Sequence, residues 1–367
     1  MKILKRGNLL KLVAFFVIAA TLTCTVAFAA NGWQSFLNGE NSDKAEGEQN
    51  QPSGEGDKDT GNNTQEPKPI PEFLHAITGL EITEQESQKR PIALVYSQGS
   101  SLYGISSSYL TIEVSTEKGE TRYIGYTDNA LSLGKIGSIG RTRGYITDIA
   151  SAFGGILIHR GSDDSFEYGR LSPEYDTLDL EAHDGYCYSE YTKYYYSNCD
   201  LLGALLINSG ADTERKDTAI PYTHIEYYKE ELRGNSRADA ISLEYSADNI
   251  TSFLFDSAEG GYSLYKNDVR VTDPLNDRSP TYKNVFILFT NTTTHETENA
   301  TQAIPSLTAG GSGYYFTGGT AISISWGYNE LGNLVFYNEN GRILSVNRGS
   351  SYISFFKASE KNKTYFE

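Results

Sequence analysis

The chain reads as an α+β protein, with an N-terminal mixed α/β domain followed by a predominantly β C-terminal domain. Three observations lead there. Short runs rich in Val, Ile, Tyr and Phe recur between clusters of Gly, Asn, Asp and Ser, as strands and turns do. Helical periodicity is confined to two segments, both before residue 214. Beyond residue 235 only strand-length runs remain.

Residues 1–29 read as a signal peptide. Lys2, Lys5, Arg6 and Lys11 precede an uncharged apolar run from Leu12 to Ala30, which closes on Ala27-Phe28-Ala29, a small-x-small cleavage pattern. Three fates are open to this run. Cleavage after Ala29 is favoured. Retention as a membrane anchor would keep the basic end cytoplasmic. Lipidation at Cys24 is the third, although Thr21-Leu22-Thr23 is a poor lipobox. All three place the folded part outside the cytoplasm. Residues 30–71 read as a disordered acidic and polar tether, since they hold too few apolar side chains to offset the entropy of ordering. The random-coil reach of its core-less part, Asn38 to Pro71, is ~30 Å.

The residues after Pro71 suit two domains. In the first, 72–213, Pro91–Tyr96 is a buried-strand run and Tyr109–Val114 alternates as a strand. Thr121–Thr127 follows the turn Glu117–Glu120 and completes a hairpin. Tyr145, Ile146, Ile149, Ala150 and Phe153 share one helical face, stopped by Gly154, and Gly155–His159 returns to strand. A second helix runs from an Asn198 cap to Gly210. The charged stretch 214–235 reads as a linker. In the second domain, 236–358, strands are expected at Ile241–Tyr245, Ser252–Phe255, Tyr262–Tyr265, Val285–Phe289, Gly313–Phe316, Ala321–Trp326, Leu334–Tyr337, Ile343–Val346 and Tyr352–Phe356. Asn340-Gly341 supplies a hairpin turn.

The formal charge is −16, and removing the signal takes four positive charges and no negative ones, leaving −20. Such a chain repels nucleic acid and anionic lipid, so no nucleic-acid partner is expected and membrane association rests on the N-terminal segment. With Cys24 in the signal, Cys187 and Cys199 remain. They either close one disulfide in an oxidising compartment or stay as two thiols.

Four segments could carry chemistry. Arg141 and Arg143 stand beside a helix N-terminus, where N–H groups and guanidinium together hold a carboxylate or phosphate. The structural reading, a glycine-rich turn whose arginines pair with Glu113 or Glu117, is preferred, with Arg122 joining Glu113 and Glu117 in one ion-pair cluster. His159 ends a strand and could act with Asp163 or Asp164 as metal ligand or as base toward Ser162. No second His lies at zinc spacing, and Ser162 lacks the G-x-S-x-G elbow, so a polar loop is the better reading. The acidic run Glu174, Asp176, Asp179, Glu181, His183 and Asp184 lacks calcium-loop spacing and reads as solvated. No metal and no cofactor is expected. The segment Tyr186–Tyr196 is the most unusual: Tyr188, Tyr191, Tyr194, Tyr195 and Tyr196 could form an aromatic platform for sugars or a protein partner.

Several motifs together resemble the YerB-like lipoproteins (domain of unknown function 3048, N- and C-terminal domains), a bacterial family of unknown function. Thr78-Gly79-Leu80 looks like the family's opening motif, and Arg90-Pro91 precedes its first strand. Glu113 sits where the family's second strand ends in Glu, and Glu117–Arg122 is similar to its E-G-G-x-T-R. Gly137–Arg143 matches G-P-x-R-S-x-R in part, and Ile156–Ser162 looks like a strand ending in H-x-G-G-S. Lys283-Asn284-Val285 and Gly311–Gly319 are the closest matches in the second half. Ser97–Tyr103 departs from the family's N-x-x-x-A-R-P-Q, Gly140 replaces an arginine, and no P-H-N segment is recognisable near Asn198. The resemblance implies an architecture and a compartment, and no mechanism.

The expectation is therefore an exported envelope protein that binds an envelope component or a protein partner. The alternative is a hydrolase or transferase centred on His159, Glu113, Glu117 and Arg122, which requires those four side chains to converge.

Overall fold

The computed structural model describes residues 69–97, 99–162, 177–183, 185–190, 193–215, 222–227, 229–296, 301–307, 309–330 and 332–367. The expected signal, the tether up to residue 68, Asp163, Asp164, Glu174, Asp176, Asp184 and Tyr191 lie outside these residues. Among the described residues no helix is long and apolar enough to cross a membrane.

The elements of the first half are α1 (Glu84–Ser87), β1 (Ile92–Tyr96), β2 (Leu110–Ser115), β3 (Thr121–Thr127), β4 (Ile136–Gly137), α2 (Gly144–Ala152), β5 (Ile156–His159), β6 (Thr177–Asp179), β7 (Tyr188–Glu190), β8 (Tyr194–Ser197) and α3 (Cys199–Ser209). The second half is strand: β9 (Ser236–Arg237), β10 (Ala240–Ser246), β11 (Asn249–Asp256), β12 (Gly261–Lys266), β13 (Val269–Arg270), β14 (Thr281–Tyr282), β15 (Asn284–Thr290), β16 (Thr292–Glu296), β17 (Thr301–Pro305), β18 (Gly311–Thr317), β19 (Thr320–Tyr328), β20 (Leu334–Tyr337), β21 (Ser351–Lys357) and β22 (Thr364–Phe366). The protein is predominantly β.

Local signals account for many of these boundaries. Asn198 caps α3 by accepting the Leu201 N–H at 2.9 Å, and Gly210 ends it in the left-handed conformation at φ 67°. Gly318 and Gly319 both have positive φ, as a two-residue hairpin between β18 and β19 requires. Gly79 combines φ +66° with crowding, since a Cβ there would stand 2.6 Å from the His224 ring. One expected strand is missing: Ile343–Val346 makes only single bridges, Ile343 to Tyr337 and Val346 to His224. Its turn forms at Asn338–Arg342, but the returning segment leaves the ladder to line the core with Leu344 and Val346.

The central sheet has eleven strands in the order β20-β19-β18-β15-β21-β2-β3-β1-β5-β6, with β9 paired to β19. Strand β21 is the junction. It runs parallel to β15 on one side and parallel to β2 on the other, so the two halves of the sequence share one sheet. Residues 69–367 accordingly form one compact unit.

Two apolar layers cover the sheet. On one face lie α3, residues of the β10–β12 sheet such as Leu243 and Phe253, and alternate central-strand residues such as Leu94 and Tyr352. On the other lie α2, through Tyr145, Ile146, Ile149 and Phe153, and a stack in which Phe286 sits 4.5 Å from Tyr315 and 4.4 Å from Phe336. Strand β2 shows the division: Leu110, Ile112 and Val114 face α2, while Thr111 and Glu113 face the other layer.

Glu113 is fully buried there. Its carboxylate accepts from Tyr245 at 2.8 Å, Tyr352 at 2.6 Å, Thr251 at 3.1 Å and Lys266 at 3.1 Å. Burial disfavours the charge, yet the Lys266 ammonium and the tyrosine hydroxyls outweigh it and hold the carboxyl below its usual range. All four donors belong to the second half, so the network ties that half to β2.

Residues 72–213 expressed alone are expected to show no cooperative thermal transition by circular dichroism, because β2 would lose β21 as its partner. Within the full chain, Glu113→Ala leaves Lys266 and three buried hydroxyls without their acceptor. It is expected to cost about 3–5 kcal/mol, read as a lower urea midpoint with an unchanged m-value.

Candidate functional site

The expected cluster of Glu113, Glu117 and Arg122 does not form. Glu113 stands opposite Tyr123 and Val114 opposite Arg122, so side-chain alternation puts Glu113 and Arg122 on opposite faces of the sheet. Glu117, in the β2–β3 turn, instead holds Arg143 in a two-pronged ion pair at 2.7 and 2.5 Å. It also accepts the Ala303 N–H of β17 at 3.3 Å. Arg143 is buried at the N-terminus of α2 and reaches the Tyr145 hydroxyl at 3.4 Å. Its guanidinium serves the protein's own carboxylate. Burial works against the Glu117 charge, but Arg143 prevails and lowers its pKa to about 2.

His159 ends β5 and is almost wholly buried. Its Nδ1–H donates to the Gly161 carbonyl at 2.9 Å, leaving Nε2 as the unprotonated nitrogen, with no hydrogen-bond partner among the described residues. Burial lowers its pKa against the opposing charge of Asp179, so the ring is neutral at pH 7. Asp179 accepts the Gly161 and Glu181 N–H groups at 2.7 and 2.8 Å and shapes the loop. Ser162 bridges Thr142, and its carbonyl accepts from Arg141. Arg160 lies 3.5 Å over the Tyr195 ring. Among the described residues no hydrogen bond joins His159 to Ser162. The four side chains of the enzymatic alternative are thus divided between two sheet faces and separate partners.

The tyrosine run folds into a small sheet, β4-β8-β7. Tyr188 pairs with Tyr196, and Tyr194 shares their face, whereas Tyr195 points the other way, onto Arg160. The expected platform is therefore split. Its outward face gains a ring that sequence reasoning missed: Tyr103 packs edge-on against Tyr196 at 5.6 Å, and Tyr188 lies 6.2 Å from Tyr196. Lys135 sits between Tyr103 and Tyr196, its Nζ 4.1 Å from each ring centre, and Glu190 accepts from it at 2.9 and 2.8 Å. No local pattern announces Tyr103 or Lys135, which reach the cluster through the Tyr103–Gly137 bridge and the approach to β4. Among the described residues no disulfide forms: the Cys187 thiol faces the Leu180 carbonyl at 3.9 Å and the Cys199 thiol faces Asp200 at 3.8 Å. The loop is held by strand pairing instead.

At the opposite end of the sheet a shallow cleft is lined by His75, Ile77, Lys89, Tyr109, Phe153 and Arg215. Its polar core is internally satisfied. His75 Nδ1 accepts the Thr78 N–H, so Nε2 carries the proton donated to Asp128 at 3.0 Å, and Tyr109 donates to the same carboxylate at 2.9 Å. Arg90, of the Arg-Pro motif, is equally committed, to the carbonyls of Gly154 and Asp212 at 3.0 and 2.8 Å.

The Glu117 carboxyl is depressed in the folded state, so its stabilisation is present above its unfolded pKa of 4.5 and is lost as pH falls toward about 2. The urea midpoints of wild type and Glu117→Gln are expected to differ at pH 7 and to converge between pH 4.5 and pH 2. A gap that persists at pH 2 would contradict the ion-pair account.

Residues 77–200 match the N-terminal domain, and residues 241–353 the C-terminal domain, of the protein of unknown function DUF3048. Among curated proteins none matches. The fold is similar to the crystal structure of the YerB protein from Bacillus subtilis, with a TM-score of 0.68 and 18% identity over 80% of this chain and 99% of that one. At that identity the likeness speaks for the fold alone. With both domains matched in order, the chain belongs to the DUF3048 family.

Proposed function

We propose that this is an exported cell-envelope protein with a binding role, and that the outward face of the β4-β8-β7 sheet is its contact surface. The observation that carries the proposal is the packing of Tyr103 and Tyr196 around Lys135, with Tyr188 beside Tyr196 and Tyr194 on the same face of the small sheet. Tyrosines that present a flat apolar face and a polar tip suit sugars and protein surfaces alike. Export rests on the basic, apolar and Ala27-Phe28-Ala29 segments in series, and the acidic charge argues against nucleic acid. The mixed α/β description of the first domain belongs to the same proposal, resting on α2 and α3 packed against opposite sheet faces. The hydrolase or transferase alternative finds no support in the placement of His159, Glu113, Glu117 and Arg122.

The test is retention on isolated cell-wall glycan and membrane fractions. Replacing Tyr188 and Tyr194 together by Ala should reduce retention about tenfold or more, at about 1 kcal/mol per ring. Equal retention of wild type and double variant would sink this surface assignment.

A further inference from the structure

The arrangement around Lys135 is an aromatic cage with a cation already in it. Two rings, Tyr103 and Tyr196, each lie 4.1 Å from the ammonium. Glu190 closes a third side with hydrogen bonds of 2.9 and 2.8 Å, and Tyr188 flanks Tyr196 at 6.2 Å. Ring faces attract cations through their quadrupole, and a carboxylate adds charge-assisted hydrogen bonds. The cage reaches solvent on one side, through the side chains of Lys135 and Glu190, 18% and 39% exposed, while Tyr196 forms its buried wall. Lys135 arrives from a surface turn.

We propose that the cage of Tyr103, Tyr196 and Glu190 is a binding site for a primary alkylammonium group carried by an envelope component, with Lys135 as a tethered occupant that the ligand displaces. The inference rests on the binding reading above and names the chemistry that surface recognises. The preference for a primary over a quaternary ammonium follows from Glu190, because only an N–H-bearing cation can donate to both its oxygens. A competing occupant fixed to the chain lowers apparent affinity for free ligand, so an isolated small amine binds weakly. A polymer that offers many ammonium groups overcomes the competition through effective concentration.

The experiment uses the full chain and ethylammonium as probe, at constant ionic strength maintained with sodium chloride. In wild type with 13C-labelled lysine, the Lys135 side-chain resonances, shifted upfield by the two rings, should move toward free-lysine positions as ethylammonium is added. In Lys135→Ser, the Tyr103 and Tyr196 ring protons should report saturable binding at least about tenfold tighter than in wild type, with tetramethylammonium weaker. Adding Glu190→Gln to that variant should remove the preference for ethylammonium. If Lys135→Ser does not fold, the wild-type lysine signals decide the matter. Lys135 resonances that respond to ethylammonium no more than to sodium overturn the proposal, as does a folded Lys135→Ser without saturable binding. Retention on cell-wall fractions measured in parallel separates the two readings. If retention survives while the cage ignores ammonium, only this inference falls; if wild type shows no retention, the binding reading fails.

Discussion

Strand β21 is the element on which the rest of the structure depends. A parallel strand between two parallel neighbours is buried on both faces and must satisfy every backbone group through them. Here one neighbour, β15, comes from the second half of the sequence and the other, β2, from the first. Its side chains divide accordingly: Tyr352 and Phe356 enter one apolar layer, Ile353 and Phe355 the other. The Tyr352 hydroxyl meets the buried Glu113 carboxylate, so backbone pairing and a buried charge fasten the same junction. The two family domains are regions of sequence, and the folded unit is their common sheet.

Most of the charged residues that stand out in the sequence are spent on this framework. Glu113 anchors a strand face, Arg143 fastens the start of α2 to the β2–β3 turn, and Arg90 donates to the Gly154 carbonyl beyond the end of α2. Asn284, of the Lys-Asn-Val motif, binds the Asn347 carbonyl and the Tyr315 hydroxyl in the same way. An unpaired buried charge is costly, so residues in such positions acquire internal partners, and a motif built from them marks architecture as readily as chemistry. The small β4-β8-β7 sheet differs because its aromatic and charged groups, apart from the buried Tyr196, are only partly covered. Tyr103 supplies one of its rings from the segment that follows β1.

How much was legible depended on the range of the interaction concerned. The hairpin β2–β3, the helix α2, the Asn198 cap and the Gly210 stop follow from residues within about ten positions of one another, where periodicity and capping chemistry act. The strands β6, β7 and β8 were missed because they are three or four residues long and hold no apolar alternation of their own. The candidate site was half legible. A tyrosine-rich segment was visible in the sequence, but alternation about β8 turned Tyr195 away, and strand pairing rather than a disulfide held the loop.

The sequence by itself determined much of the local vocabulary: most of the longer strands, where two helices begin and end, and that the second half is β. Tertiary structure alone decided the partners: that β21 crosses into the first half, that Glu113 and Arg122 part to opposite faces, and that Lys135 lies between Tyr103 and Tyr196. The reason is physical. Dihedral preference, capping and periodicity act between near neighbours along the chain. Sheet order and side-chain convergence are set by burial among segments more than a hundred residues apart, such as Glu113 and Tyr352.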